Sequence, residues 1–286
     1  MLTSVKLVDG SREMVLLPRT DAGVFLQSLD APMPGVREVA EDRTDDDGTR
    51  DSTALFGARA CTVELLVTES PRAVEDELTR FLHPRSRPFL VVEDDGWSQA
   101  RRLGLRVDQF SAPLTLDTAR WDGRRIAVGW KVPDGVWEAT DLTSVTVRAD
   151  VQGTPVGLSL PFSLPVALAS TSATSATILS DAGSVPSHFT ARLYGPCAGP
   201  RLRNETTGEE ITFTDSLVLG AGEYVEIDTR ARTADLMSLS NSRLNLLDFA
   251  VTSWWRIEPG DNQIRYNPTI SDAGSAAVIT YRPAWL

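Results

Sequence analysis

Apolar residues recur at every second position along most of this chain, and one short stretch follows a different rhythm. Cys61, Val63, Leu65 and Val67 mark one face of a predicted strand. Ile126, Val128, Trp130 and Val132 mark another, and Val145, Val147, Ala149 and Val151 a third. Phe89-Leu90-Val91-Val92 runs into Glu93-Asp94-Asp95-Gly96, and the chain returns through Leu103, Leu105 and Val107, which predicts a hairpin. Shorter apolar runs, Met14-Val15-Leu16-Leu17 and Val24-Phe25-Leu26, are bounded by Gly10, Pro18 and Gly23. The exception lies between Pro71 and Leu82. There Val74, Leu78, Phe81 and Leu82 stand at i, i+4, i+7 and i+8, one stripe of a helix. Ser70 holds the N-cap position, Pro71 is the first helical residue, and His83-Pro84 ends the run.

After Gly153 the alternation stops. Pro155, Pro161 and Pro165 interrupt it, and Ser170 to Thr177 is almost wholly Ser, Thr and Ala. Strands resume with Phe189-Thr190-Ala191-Arg192-Leu193-Tyr194. They continue through Ile211 and Phe213, Leu217 and Leu219, Val225 and Ile227, Ile264 and Tyr266, then Ala277, Ile279 and Tyr281. The pattern predicts a mainly β protein of two domains. Residues 1–155 form a β-sandwich or barrel with one α-helix, 156–175 a Pro- and Ser-rich linker of fixed geometry, and 176–286 a jelly-roll β-sandwich.

The most informative stretch is Trp254-Trp255-Arg256-Ile257-Glu258-Pro259-Gly260-Asp261-Asn262. Two adjacent tryptophans lead into a predicted short strand, and Pro-Gly-Asp-Asn forces a turn. Neighbouring strand residues point to opposite faces, so one sheet face can bury only one of Trp254 and Trp255. The other ring is then available to a loop, a partner or a sugar.

Charge narrows the function. The chain has 28 basic and 39 acidic residues, a formal net charge of −11. That argues against specific nucleic-acid recognition, which favours a basic face. The segment from Glu41 to Asp51 has no apolar residue and carries Asp45, Asp46 and Asp47. It lacks a calcium loop's first ligand, where Arg43 stands, and its closing Glu, so it reads as a solvated acidic loop. Cys61 and Cys197 have no partner at metal-ligand spacing, which points to folding inside the cell. No G-x-S-x-G, H-E-x-x-H, P-loop or dinucleotide fingerprint occurs, and no carboxylates are paired by sequence as glycoside hydrolysis needs. The chain reads as a non-enzyme with no catalytic residue, no cofactor and no metal.

The order of features resembles the siphophage distal tail protein (Dit) family, the siphovirus-type tail component. In the first half the resemblance rests on Phe56-Gly57-Ala58-Arg59, the following strand, the helix from Pro71 to Leu82 and the hairpin around Asp95-Gly96. In the second it rests on Asn204-Glu205-Thr206-Thr207-Gly208, Gly222-Glu223-Tyr224-Val225-Glu226-Ile227-Asp228-Thr229, Asn241-Ser242-Arg243, Trp255 and Pro259-Gly260-Asp261-Asn262-Gln263-Ile264. The resemblance implies an N-terminal sandwich carrying one helix and a C-terminal galectin-like or carbohydrate-binding-module-like (CBM-like) jelly roll. It implies a homo-oligomeric ring, usually a hexamer, at the distal end of the virion tail. Its partners are then the tail tube protein and the tail tip or baseplate hub protein, with DNA passing through. The alternative is a carbohydrate-binding or host-adhesion module reading a host-surface glycan, with Trp254 or Trp255 as its platform. Asp45, Asp46 and Asp47 are the candidate lumen or interface residues. The acidic loop matches no motif of the family.

Overall fold

The computed structural model describes residues 1–17, 23–37, 55–113, 123–149, 176–237, 241–272 and 274–286, and the backbone of 41–42 and 49–50. The chain forms two compact units, Met1–Asp141 with Ala284–Leu286, and Leu142–Pro283.

The first unit has two principal antiparallel sheets. One runs in the order Arg12–Leu17, Leu2–Asp9, Phe89–Asp94, Arg101–Gly104, Trp137–Ala139, Ala284–Trp285. The other runs Arg106–Ser111, Arg124–Val132, Arg59–Val67, Val24–Asp30. Alternate residues of both enter one core: Val5, Leu7, Leu90, Val92 and Leu103 from the first, Val63, Leu65, Ile126, Val128 and Trp130 from the second. The pairing of Arg59–Val67 with Arg124–Val132 is unbroken over nine residues, with Val63 opposite Val128. This is the sandwich that the period-two pattern calls for.

The strand expected through Leu103 and Val107 divides. Arg101–Gly104 pairs with Phe89–Asp94, while Arg106–Ser111 pairs with Arg124–Val132 in the other sheet. Leu105 is the corner, buried, with its N–H on the Pro88 carbonyl at 2.8 Å. Corner strands switch sheets in this way, and alternation alone does not reveal it.

The helix spans Pro71–Thr79, with Val74 and Leu78 buried. Phe81 is buried just beyond it. Ser70 stands at the N-cap but does not cap with its side chain: it is left-handed, φ 47°, ψ 49°. Its carbonyl accepts the N–H groups of Ala73 and Val74. The Arg124 guanidinium bonds the Glu75 carboxylate, and both side chains are largely shielded.

The second unit has a sheet in the order Thr143–Arg148, Ala276–Tyr281, Phe189–Tyr194, Tyr224–Asp228, Thr233–Leu236. A second sheet runs Thr177–Asp181, Gly260–Tyr266, Arg201–Asn204, Glu210–Thr212. A small third joins Val218–Leu219, Cys197–Ala198 and Ile270–Ser271. Leu193, Val225, Ile227, Ala277 and Ile279 from the first meet Leu179, Leu202, Ile211, Ile264 and Tyr266 from the second in one core.

The compact units divide elsewhere than at the expected 155 and 176. Thr143–Arg148, expected in the N-terminal domain, pairs along its whole length with Ala276–Tyr281 of the second unit. Ala284–Trp285, expected in the C-terminal domain, pairs with Trp137 and Glu138 of the first. Alternation identifies a strand but not its partner, and a two-residue strand has no period to read. The expected linker 156–175 and Val151 lie outside the described residues.

Candidate functional site

The Pro-Gly-Asp-Asn segment is a built turn. Gly260 adopts φ +89°, a conformation that side chains rarely tolerate. Asn262 is fully buried beneath the turn. Its Oδ1 accepts the Glu258 N–H at 3.1 Å, and its Nδ2 donates to the carbonyls of Glu258 at 2.7 Å and Gly260 at 3.1 Å. Asn204, also fully buried, donates from Nδ2 to the same Oδ1 at 3.0 Å. Asn204 in turn holds its own turn through Oδ1, which accepts the Thr206 N–H at 3.0 Å. The Glu205 N–H donates to the Gln263 carbonyl at 2.7 Å, and the Gln263 N–H donates to Thr206 Oγ1 at 2.9 Å. The two asparagine motifs are therefore one structural device.

The strand expected at the tryptophans is absent. Ile257 alone makes a bridge, exchanging bonds with Ser187 at 2.8 and 2.9 Å. Trp255 is 2% exposed, its ring centroid 4.4 Å from that of Phe189. It belongs to the core and offers no face to a sugar. Trp254 is half-buried against the same core. A sugar platform here has Trp254 alone.

Between Val24–Asp30 and Arg59–Val67 the chain makes an antiparallel excursion. Val36–Arg37 pairs with Leu55–Phe56, and Glu41–Asp42 pairs with Thr49–Arg50. Met33, Val36, Leu55 and Phe56 are each about half or more exposed, and Val36 and Phe56 stand opposite each other in the pairing. Asp45, Asp46 and Asp47 lie outside the described residues.

Groups that carry chemistry are locked in structural roles. Burial pushes the Cys61 thiol up to about 12. The Cys197 thiol is also raised, chiefly by burial, and sits 3.2 Å from the Tyr266 hydroxyl. Neither is a ready thiolate. Asp181 is buried, accepting from Ser187 Oγ at 2.9 Å and the Gly183 N–H at 3.0 Å. Burial raises its carboxyl, and those two bonds oppose the rise. His83 Nδ1 accepts the Arg85 N–H at 3.1 Å. Among the described residues no three His, Cys, Asp or Glu groups converge on a metal position. A cavity of about 230 Å³ lies along the second sheet of the first unit, lined by Gln27, Glu64, Ser111, Arg125 and Ala127 among others.

One cluster was not legible in the sequence. In the first unit Trp97 and Trp137 meet edge to face at 5.6 Å. Arg101 Cζ lies 4.3 Å from the Trp97 ring and 4.1 Å from that of Trp285, and Arg59 Cζ lies 6.0 Å from Trp137. Arg59 is only 2% exposed. Desolvation lowers the pKa of both guanidiniums. Trp137 and Trp285 sit in strands of three and two residues, too short for any periodic signal.

Residues 182–285 match the SPP1_Dit family, described as the siphovirus-type tail component, C-terminal domain. The whole chain has the fold of the SPP1 Dit (gp 19.1) protein, described as a paradigm of the hub adsorption apparatus in phages infecting Gram-positive bacteria. The TM-score is 0.64 at 11% identity, covering 99% of each chain. It is also similar to a chain of the phage P2 baseplate in its activated conformation with Ca, with TM-score 0.52 and 13% identity over 99% of this chain and 98% of that one. The same baseplate with Sr gives 0.50 and 14% over 98% and 97%. No curated protein sequence matches the chain.

Proposed function

We propose that this chain, whose residues 182–285 carry the siphovirus-type tail component C-terminal domain and whose full length has the Dit fold, is a structural protein of a phage tail. In this reading copies of it form a ring, a hexamer by analogy, that joins the tail tube to the baseplate or tip at the distal end of the virion. The observation that carries it is the combination of the two matches. The sequence match covers residues 182–285, most of the second unit, while the structural match covers 99% of the chain.

The first unit is the ring-forming part. The exposed Met33, Val36, Leu55 and Phe56 belong to it, and exposed apolar side chains of this kind favour burial against a protein neighbour. A heterologous contact repeated by rotation closes a ring. The acidic run from Glu41 to Asp51, with Asp45, Asp46 and Asp47, suits the channel side, where a surface that repels phosphates lets DNA slide. Glycan recognition by the second unit draws less support, because Trp255 is core and leaves one half-buried ring.

Native mass measurement of the purified full chain tests the ring, with imaging of negatively stained particles for its shape. The expected result is a discrete closed multiple of the chain. A monomer at every concentration, or an open polymer, overturns the reading. Antibody labelling of virions should mark the distal tail end and no other part.

A further inference from the structure

Two guanidiniums in the aromatic cluster of the first unit have no counter-charge among the described residues. Arg101 makes no hydrogen bond or ion pair there; the residue is part-exposed, and its Nε is buried without a partner. Its guanidinium is held between the rings of Trp97 and Trp285. Arg59 is nearly fully buried, and its Nε and Nη2 find no acceptor among the described residues. Structural arginines of this fold are paired differently: Arg102 meets Glu138 at 3.0 Å, and Arg124 meets Glu75. The two guanidiniums stand at the ends of the Trp97–Trp137 pair, within one aromatic cluster.

A guanidinium clamped by aromatic rings keeps its planar fork in one orientation, so little freedom is lost when two parallel N–H bonds form. The group that matches such a fork is a carboxylate or a phosphate. A nucleic-acid track needs a run of neighbouring cations, and the net charge of −11 works against one. A protein carboxylate fits better, and a second copy of this chain brings 39 acidic residues against 28 basic ones. The same unit exposes Val36, Leu55 and Phe56, and Phe56 is joined to Arg59 by two residues of chain. Exposed apolar side chains and cations without a counter-charge among the described residues are thus carried by one unit.

We infer that the Arg101 fork, held between Trp97 and Trp285, receives a carboxylate from a second copy of this chain. Arg59 supplies a second positive charge in the same cluster, where low local dielectric strengthens attraction for that carboxylate. The inference rests on the ring reading above and names the kind of contact that closes it. It also gives the returning C-terminal strand a role beyond the core, because Trp285 is one jaw of the clamp.

The test compares the full chain with Arg101→Met and Arg101→Lys by sedimentation over a range of concentrations, at low and high salt, together with denaturant unfolding of the dissociated chains. Arg101→Met should assemble about tenfold more weakly, as expected for removal of a charged contact, and should lose much of the salt sensitivity of assembly. The midpoint of monomer unfolding should stay the same or rise, because an uncompensated charge is gone. Arg101→Lys keeps the charge without the fork and should fall between the two; it decides the matter if Arg101→Met does not fold. Assembly of both variants equal to that of the unaltered chain overturns this inference and leaves the ring standing. So does an assembly defect that merely follows a loss of monomer stability. An unaltered chain that never assembles overturns the ring and this contact together.

Discussion

The side-chain amide of Asn204 donates to that of Asn262 at 3.0 Å, and this one buried bond joins two turn motifs 58 residues apart. Each asparagine also satisfies backbone groups of its own turn. The pair therefore sets how Arg201–Asn204 and Gly260–Tyr266 lie side by side, and the register Asn204 to Ile264 follows.

Asn262→Ala removes three bonds to the turn and leaves the Glu258 N–H and the Asn204 amide without their acceptor. The second unit should lose about 2–4 kcal/mol, the cost of orphaned buried polar groups. Asn204→Ala should cost a similar amount, and the double variant clearly less than the sum, since both act on one network. Denaturant unfolding followed by a probe in the second unit reads this. Simple additivity would show that the two turns are independent.

Ser70 gives a prediction whose sign separates two accounts of the helix start. If its hydroxyl capped the helix, Ser70→Gly would cost a few tenths of a kcal/mol. The side chain makes no capping bond, and the backbone is left-handed at φ 47°. Ser70→Gly should therefore stabilise the first unit, by about 0.5–1 kcal/mol, through relief of that conformation. The midpoint of thermal unfolding reports the direction.

The adjacent tryptophans should respond unequally. Trp255→Ala empties a core position against Phe189 and should cost about 3–5 kcal/mol of the stability of the second unit. Trp254→Ala removes a half-buried ring and should leave a cooperative fold by near-ultraviolet circular dichroism. Equal losses would mean that Trp254 is as much a core residue as Trp255.

Asp181 makes stability depend on pH. Burial raises its folded pKa above the unfolded one. Between those two values the folded chain holds a proton that the unfolded chain has released. Stability from this group is thus fully present below the unfolded pKa, falls as pH rises through the window, and is constant above it. Asp181→Asn keeps the shape and an acceptor for the Gly183 N–H, and has no charge to desolvate. Relative to the unaltered chain the variant should gain stability toward neutral pH and not in acid. Parallel stability profiles from acid to neutral pH would refute the role of burial at this site.

The chain shows which features are local. The helix at Pro71–Thr79 is legible because Val74, Leu78 and Phe81 repeat with the helical period, and the strand Arg59–Val67 because its core face alternates without a break. The turn at Gly260 is legible because glycine alone accepts φ +89° easily. The resemblance to the tail component rests on the same turn motifs that the fold then ties together.

What the tertiary structure decided is which distant pieces meet. Period-two alternation says that Thr143–Arg148 is a strand, but pairing with Ala276–Tyr281 depends on a complementary edge 130 or so residues away. Ala284–Trp285 is too short to carry a period, and its return to Trp137 appears only when the chain is folded. Trp254 and Trp255 are indistinguishable as letters, and burial against Phe189 separates them. Arg59 and Arg101 read as two of 28 basic residues until folding sets them among three tryptophans. Local backbone preference and periodicity act over a few residues and are written in order along the chain. Desolvation, charge pairing and strand choice depend on distance in space, which sequence order does not encode.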